Sequence, residues 1–329
     1  MGRKYQLLGE HPTRNLGVVA VALLAFAMTA PAVAQETYPS RPVTIQHGST
    51  PGGSTDIIAR TLAAGMSDRF GQPVIVDARP GAGGAVMLGG LARAKPDGYT
   101  LGMPISAVVT QGPQIQKDLP YDPLKDFTPI TKIGDQAVMI VVPSAFPAKN
   151  FGDLIAVAKT KPVTISVYAP VNKIILAAIG STTGAQFTAV PFPGLPQGTA
   201  AVLGGHVDAG FDSPNTSMGL VKEGKYRALV VTTARRAPMQ PDVPTVAETV
   251  IPGFDFGIWY GLVAPAGTPA DRIDRIYREV VASLQMPKVK ETLANAALDV
   301  SGMPPKEFAA LIRTEYERDG GIIRKYNIQ

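Results

Sequence analysis

The stretch TPGGSTDIIARTLAAGMSDRF, Thr50 to Phe70, joins an anion-shaped turn to the start of a helix. Directly before it, Val43 to Gln46 reads as a short buried strand, and within it Ile57, Ile58, Leu62, Met66 and Phe70 recur at helical spacing. A strand therefore runs through a Gly-rich turn into a helix. Gly52 and Gly53 let the backbone come close to a ligand, while Ser54, Thr55 and Asp56 are N-cap types that leave first-turn amides facing the turn. Exposed N–H donors and the positive end of the helix dipole attract a carboxylate or phosphate there. An ordinary capped helix after a tight turn reads from the same residues, and this segment alone leaves both readings open.

Outward from that unit the pattern repeats. Residues 73 to 79 read as a second strand, 85 to 94 as a helix and 99 to 105 as a third strand, the alternation of βαβ units around a parallel sheet. A Pro-rich passage, LPYDPLKDFTPI (119 to 130), then leads to a strand at 137 to 144, which is read as the first crossing between two lobes. Alternation restarts with a helix from Phe151 to Thr160, capped by Asn150 and Asp153, and strands at 164 to 169, 187 to 192, 207 to 212 and 226 to 233. Helices at 172 to 184, 197 to 203 and 213 to 223 lie between them. Residues 258 to 284 read as a strand, a Pro-Ala-Gly turn and a helix with Pro269 in its first turn, and helices at 287 to 296 and 304 to 326 end the chain. If the late strand returns to the first sheet, two lobes are joined by two crossings, a hinge that permits closure on a ligand.

The first 34 residues read as an address. Arg3, Lys4 and Arg14 precede an uncharged apolar run from Leu16 to Ala30, and Ala32-Val33-Ala34 is a small-x-small cleavage site. The run of about 15 residues falls short of the roughly 20 that span a bilayer. Export to the periplasm and cleavage after Ala34 are expected, which takes the formal charge from +5 to +3 because three Lys/Arg and one Glu leave. So mild a charge, without basic clusters among aromatics, excludes a nucleic-acid partner. The absence of cysteine excludes a disulfide scaffold and a lipidated cysteine anchor.

No catalytic set, cofactor motif or metal cluster is expected. Beyond His11 in the leader only His47 and His206 exist, too few for a metal centre. GAGG (81 to 84) departs from the dinucleotide pattern at Val86, and GLVKEGKY (219 to 226) has Tyr226 where a phosphate loop needs Ser or Thr. His47, beside the Gly turn, reads either as a packed residue or as a ligand contact, and Lys173 as a solvated helix-start lysine or an anion counter-charge. Asp56 and Asp212 fall at comparable loops of the two lobes, where each either caps local amides or orders a ligand.

Taken in order, YPSRPVTI (38 to 45), PGGSTDIIAR (51 to 60), GQPVIVDARPGAGG (71 to 84), PDGYTL (96 to 101), LPYDPLKDFTPI, LGGHVDAGFD (203 to 212), DVPTVAE (242 to 248), WYGLVAPAGTPAD (259 to 271) and PPKEFAALIRTE (304 to 315) resemble the Bug-type receptors, the substrate-binding subunits of tripartite tricarboxylate transporters. The resemblance implies a two-lobed, type II-like periplasmic-binding-protein fold of the α/β class, each lobe a mostly parallel sheet flanked by helices. Residues 35–135 with 258–329 form the first lobe and 136–257 the second. It implies a monomeric receptor, not an enzyme, that traps a small carboxylic acid in the interlobe cleft and delivers it to membrane transporter subunits, with no cofactor. Loop amides, hydroxyls and water hold the carboxylate in such receptors. Carried over, Gly52, Gly53, Ser54, Thr55 and Asp56 match the first carboxylate loop and Asp212 the acidic end of a second-lobe strand; Ser49, Ser106, Tyr168 and Asn172 complete the candidate site.

The departures fall where specificity resides: QHGST (46 to 50) replaces an apolar, Pro-rich lead, PISAV (104 to 108) a Gly-Thr-rich loop, YAPVNK (168 to 173) a small hydroxyl-rich loop, and FPG (192 to 194) a Tyr-Lys-Gly-like turn. Pro170, Val171, Phe192 and Pro193 are expected to make the far side of the cleft apolar, favouring an aromatic or aliphatic monocarboxylate. Two alternatives are an exported α/β hydrolase, which needs a nucleophile and base not visible here, and a receptor presenting its ligand to a membrane sensor kinase.

Overall fold

A computed structural model describes residues 1–2 and 38–328. The chain divides into two compact units, Met1–Ser40 and Arg41–Gln329. The expected leader, apart from Met1 and Gly2, and its cleavage site lie outside the described residues. Both sheets belong to the second unit.

In chain order the strands are β1 (Val43–His47), β2 (Val74–Ala78), β3 (Thr100–Met103), β4 (Phe127–Gln136), β5 (Met139–Pro143), β6 (Val163–Val167), β7 (Phe187–Pro191), β8 (Ala209–Asp212), β9 (Tyr226–Val231), β10 (Ile258–Pro265) and β11 (Leu298–Met303). The helices are α1 (Ser54–Phe70), α2 (Ala85–Leu91), α3 (Gly112–Ile115), α4 (Phe151–Thr160), α5 (Pro170–Thr183), α6 (Leu195–Leu203), α7 (Pro214–Lys222), α8 (Val246–Thr249), α9 (Ala270–Leu284), α10 (Pro287–Asn295) and α11 (Pro305–Tyr326).

β1 is the centre of the first parallel block. Its Ile45 lies opposite Val76 of β2 on one side and Leu101 of β3 on the other, so the strand is hydrogen-bonded along both edges and buried on both faces. α1 covers it with Ile58, Leu62, Met66 and Phe70, a four-residue repeat along one face, and ends at Gly71 in the left-handed conformation. Ile57, one step round the helix, is 42% exposed and takes no part in that face.

Among the described residues the strands make two mixed sheets, in the orders β11-β4-β10-β3-β1-β2 and β7-β6-β8-β5-β9. The parallel blocks expected from the alternation are present in each. Most antiparallel pairings come from the strands that follow a crossing: β10 lies reversed between β3 and β4, and β5 lies reversed between β8 and β9, while the edge strand β11 also runs antiparallel to β4. A chain that enters a lobe from the other lobe arrives against the direction of that lobe's own βαβ strands.

Residues 119 to 130 are not simply a crossing, since β4 already runs from Phe127 in the first sheet and only Ala137 and Val138 separate it from β5. Pro129 has no N–H to give, and it sits opposite Val263 where the β4–β10 register shifts, so the bulge accommodates the missing donor. β11 adds a short edge strand between α10 and α11 that the helical pattern did not reveal.

Each lobe has its own core. Phe151, Leu154, Ile165, Ile174 and Phe211 centre the second; Met87, Leu88, Trp259 and Phe308 centre a cluster of the first. Trp259 and Phe308 meet edge to face, with ring centroids 5.2 Å apart. α11 joins the lobes, with Phe308 and Ile312 in the first cluster and Ile323 in the second core.

Candidate functional site

The loop from β1 to α1 is organised by a buried carboxylate. Asp56 Oδ1 receives a 3.0 Å hydrogen bond from His47 Nε2, and Oδ2 receives the Gly52 amide at 3.0 Å and Arg60 Nε at 2.8 Å. The Arg60 hydrogen bond, reinforced by Gly52, His47 and the Arg60 charge, outweighs desolvation and holds the Asp56 carboxyl down at about 2. Asp56 thus shapes the loop, the capping alternative read from the sequence. Gly53 is the N-cap of α1 and supplies no side-chain cap, so the amides of Ser54 and Thr55 remain the open end of the helix. Gly52 has φ +83°, and a Cβ on Gly48 would lie 2.4 Å from Gly84 Cα, so the loop approaches the turn at 81–84 as closely as it does only because residue 48 is glycine.

Ser49 Oγ donates to Thr55 Oγ1 at 2.9 Å, and on β10 the Tyr260 hydroxyl, near Thr55, donates to Gln136 Oε1 at 3.0 Å. Burial pushes the Tyr260 hydroxyl up to about 12, with the Thr55 side chain opposing it.

From β3 the chain turns through Pro104, Ile105 and Ser106 into a π-helical turn, Ala107–Gln111, that packs against α5 of the second lobe. Ser106 is 2% exposed and its Oγ has no hydrogen-bond partner. In the second lobe, Asn172 stands in the first turn of α5, fully buried. Its Oδ1 accepts from the Tyr168 and Ala169 amides at 3.0 and 3.1 Å, which fixes the side-chain plane and leaves Nδ2 buried without a partner. Two buried donors, one from each lobe, thus lie unpaired on two elements that touch.

Asp212 ends β8, 1% exposed; burial raises its carboxyl to about 6 against the Ser213 amide at 2.7 Å and the Thr199 hydroxyl at 3.2 Å. Burial also raises the Tyr168 hydroxyl, with further upward pressure from Asp212 and from Tyr260 of the first lobe.

The sequence-derived residues fall into place unequally. Ser49, Thr55 and Asp56 are brought together on one loop with Gly52, and Gly53 and Ser54 open α1 beside them. Ser106 and Asn172 lie on contacting elements, and Asp212 is near enough to Tyr168 to add to the burial that raises its hydroxyl. Tyr260 and Gln136 were missed, being residues of strands that join the loop only through the antiparallel pairing of β10 with β4. Val171 is 2% exposed and packs within the second core, and Phe192 packs half-buried against the β5–β9 cluster. Lys173 lines a surface groove with Leu176, Phe187 and Tyr326. Among the described residues no group of three His, Asp or Glu is placed to hold a metal ion, and no helix is long and apolar enough to cross a membrane.

Two α/β lobes on two crossings, with helix N-termini and hydroxyl-bearing loops on both, define a solute-binding receptor. The chain belongs to the tripartite tricarboxylate transporter family of receptors, which it matches over residues 58–328. It is 31% identical over 325 residues to the protein BugT of Bordetella pertussis, covering 95% of this chain and 97% of BugT. A Rhodopseudomonas palustris protein, Rpa4515, solved with adipate is 28% identical with a TM-score of 0.73 over 88% of this chain and 99% of that one. MatC of the same organism, solved with bound malate, is 28% identical with a TM-score of 0.69 over 87% and 100%. Receptors of this family are periplasmic.

Proposed function

We propose that this chain captures a small carboxylic acid between its lobes and hands it to the membrane subunits of a tripartite transporter, acting as a monomer and without chemistry on the ligand. The observation that carries the reading is the pair of buried, unpaired donors, Ser106 Oγ and Asn172 Nδ2, one on each lobe. A buried donor left unpaired costs about 1–3 kcal/mol, which an acceptor arriving with the ligand recovers. The ligand carboxylate is met on the first lobe by the open amides of Ser54 and Thr55, with Gly52 and Gly53 allowing close approach. Tyr168 and Asp212 border it on the second lobe. No guanidinium is needed, since neutral donors at a helix N-terminus already favour an anion.

The lobes are 35–135 with 258–329, and 136–257, in the mature chain left by cleavage after Ala34. A ligand touching both lobes binds the closed form better and shifts the population toward it. Relatives solved with adipate and malate, both dicarboxylates, support a small carboxylic acid as the expected ligand. A thermal-shift screen of such acids against their amides tests the reading. The acid should raise the melting temperature and its amide should not, with ligand recovered unchanged; equal stabilisation by the amide, or conversion of the ligand to product, would overturn it.

A further inference from the structure

The polar lead into the first loop, QHGST, replaces the apolar one of the resemblance, and the structure gives it a use. His47 closes β1 between β2 and β3 with its side chain fully buried. Its Nδ1 accepts the Ser49 amide at 3.3 Å and its Nε2 lies 3.0 Å from Asp56 Oδ1. An N–H donor faces Nδ1 and a carboxylate faces Nε2, so the ring is the neutral tautomer with its proton on Nε2.

We infer that His47 is the positioning residue of the carboxylate loop, an imidazole brace that holds Ser49 through Nδ1 and Asp56 through Nε2–H and so fixes the approach of the α1 N-terminus to the ligand. This rests on the function proposed above. From the Nδ1 side, the brace holds Ser49, whose hydroxyl reaches Thr55. From the Nε2 side it orients Asp56, whose other oxygen takes Gly52 and Arg60. Both arms therefore reach the segment 49–56, one through the buried 3.0 Å bond to Asp56 and the other through the part-buried 3.3 Å bond from Ser49, so the ring sets the spacing between the end of β1 and the first turn of α1. A valine or leucine of similar volume fills the same space and supplies neither hydrogen bond, leaving Asp56 with one donor fewer and the Ser49 amide with no acceptor.

The roles of the two ring nitrogens separate by substitution. His47→Asn keeps an acceptor near Nδ1, His47→Gln keeps a donor near Nε2, and His47→Leu keeps neither. In the ligand-free mature protein, amide hydrogen exchange at Ser49 and Gly52 should be slow in the wild type, fast at both in His47→Leu, and partly restored at Ser49 by Asn and at Gly52 by Gln. Nitrogen-15 shifts of the ring should report Nε2–H. With malate and adipate as probes, His47→Leu should bind on the order of tenfold to a hundredfold more weakly while the Asn and Gln variants fall between. A ring protonated on Nδ1, or Ser49 and Gly52 amides as protected in His47→Leu as in the wild type, overturns the brace. Failure of every protein, wild type included, to bind any carboxylate refutes the proposed function, and the exchange data then still decide the brace.

Discussion

Trp259 Nε1 donates a 2.6 Å hydrogen bond to Glu315 Oε2, tying the strand that returns from the second lobe to the helix that spans both. The same helix holds the second crossing: Arg318 donates to the Asp255 carbonyl at 2.9 Å and lies 4.0 Å over the Phe256 ring. Asp319, next to it and fully buried, accepts from Thr110 of the π-helical turn at 3.0 Å and from Arg318 at 2.9 Å. One turn of α11 thus touches the crossing on one side and the π-helical turn that follows β3 on the other.

Burial raises the Glu315 carboxyl to about 7, against the Arg318 charge and the Trp259 bond. The folded form therefore holds a proton that the unfolded chain, near 4.5, releases first. Stability from this group is greatest below about 4.5 and falls as pH rises toward 7, by up to about 3 kcal/mol. Glu315→Gln keeps the acceptor for Trp259 and removes the ionisation, so it should be more stable than the wild type at pH 8 and show a flatter profile between pH 5 and 8. Urea titrations followed by fluorescence of the sole tryptophan measure both. Parallel profiles for the two proteins would refute the assignment.

Asp56 has the opposite sign. Its folded carboxyl is depressed, so its contribution is complete above about 3.8 and is lost as pH falls toward 2. Asp56→Asn should lower stability at pH 7 by about 1–3 kcal/mol, because donors arranged for an anion then meet an amide. The loss should shrink as pH falls from about 3.8 toward 2, the window in which the folded carboxylate gives up its advantage. Thermal denaturation at pH 2 and 7 compares the two.

A Cβ on Gly261 would lie 2.3 Å from Phe308 Cζ, so the ring occupies the space a side chain would need. Gly261→Ala should cost about 1–3 kcal/mol through overpacking beside Trp259. Shortening the intruding ring, Phe308→Leu in the same protein, should recover part of that loss although Phe308→Leu alone destabilises. Melting temperatures of the two single variants and the double variant form the cycle, and additive losses would contradict the contact.

The β1–α1 unit was legible because one strand, one Gly turn and a four-residue apolar repeat are all local signals. Both parallel blocks followed from the same local alternation. β4 was not legible, because Pro129, Lys132 and Asp135 break its alternation and the bulge that makes Pro129 tolerable belongs to β10, more than a hundred residues later. At the site, the hydroxyl-bearing loop was readable as an anion-binding shape. The inward turn of Asp56 was not, since composition alone makes an aspartate in a first turn look like a cap or a ligand contact, and only the buried His47 ring and the Arg60 side chain decide which way it faces. Tyr260 was hidden for the reason that hid β4: it reaches Thr55 through sheet pairing, not through sequence.

The two unpaired donors give the sharpest test, because their effects on stability and on binding have opposite signs. In the ligand-free protein the Ser106 hydroxyl is buried with nothing to bond, so Ser106→Ala removes a desolvated group and should leave stability unchanged or slightly raised. With a carboxylate present, the same variant lacks a donor to a charged acceptor and should bind about 1.5–3 kcal/mol more weakly. Asn172→Asp separates the two jobs of its side chain. The retained oxygen still accepts the Tyr168 and Ala169 amides and keeps the start of α5 capped, whereas the new anionic oxygen replaces Nδ2 and repels a carboxylate. Folding should therefore survive while binding of acids is lost, and calorimetric titration beside thermal melts of each variant reads both quantities. A Ser106→Ala protein that melts several degrees lower yet binds its acid as the wild type does would show that the hydroxyl serves the fold and not the ligand.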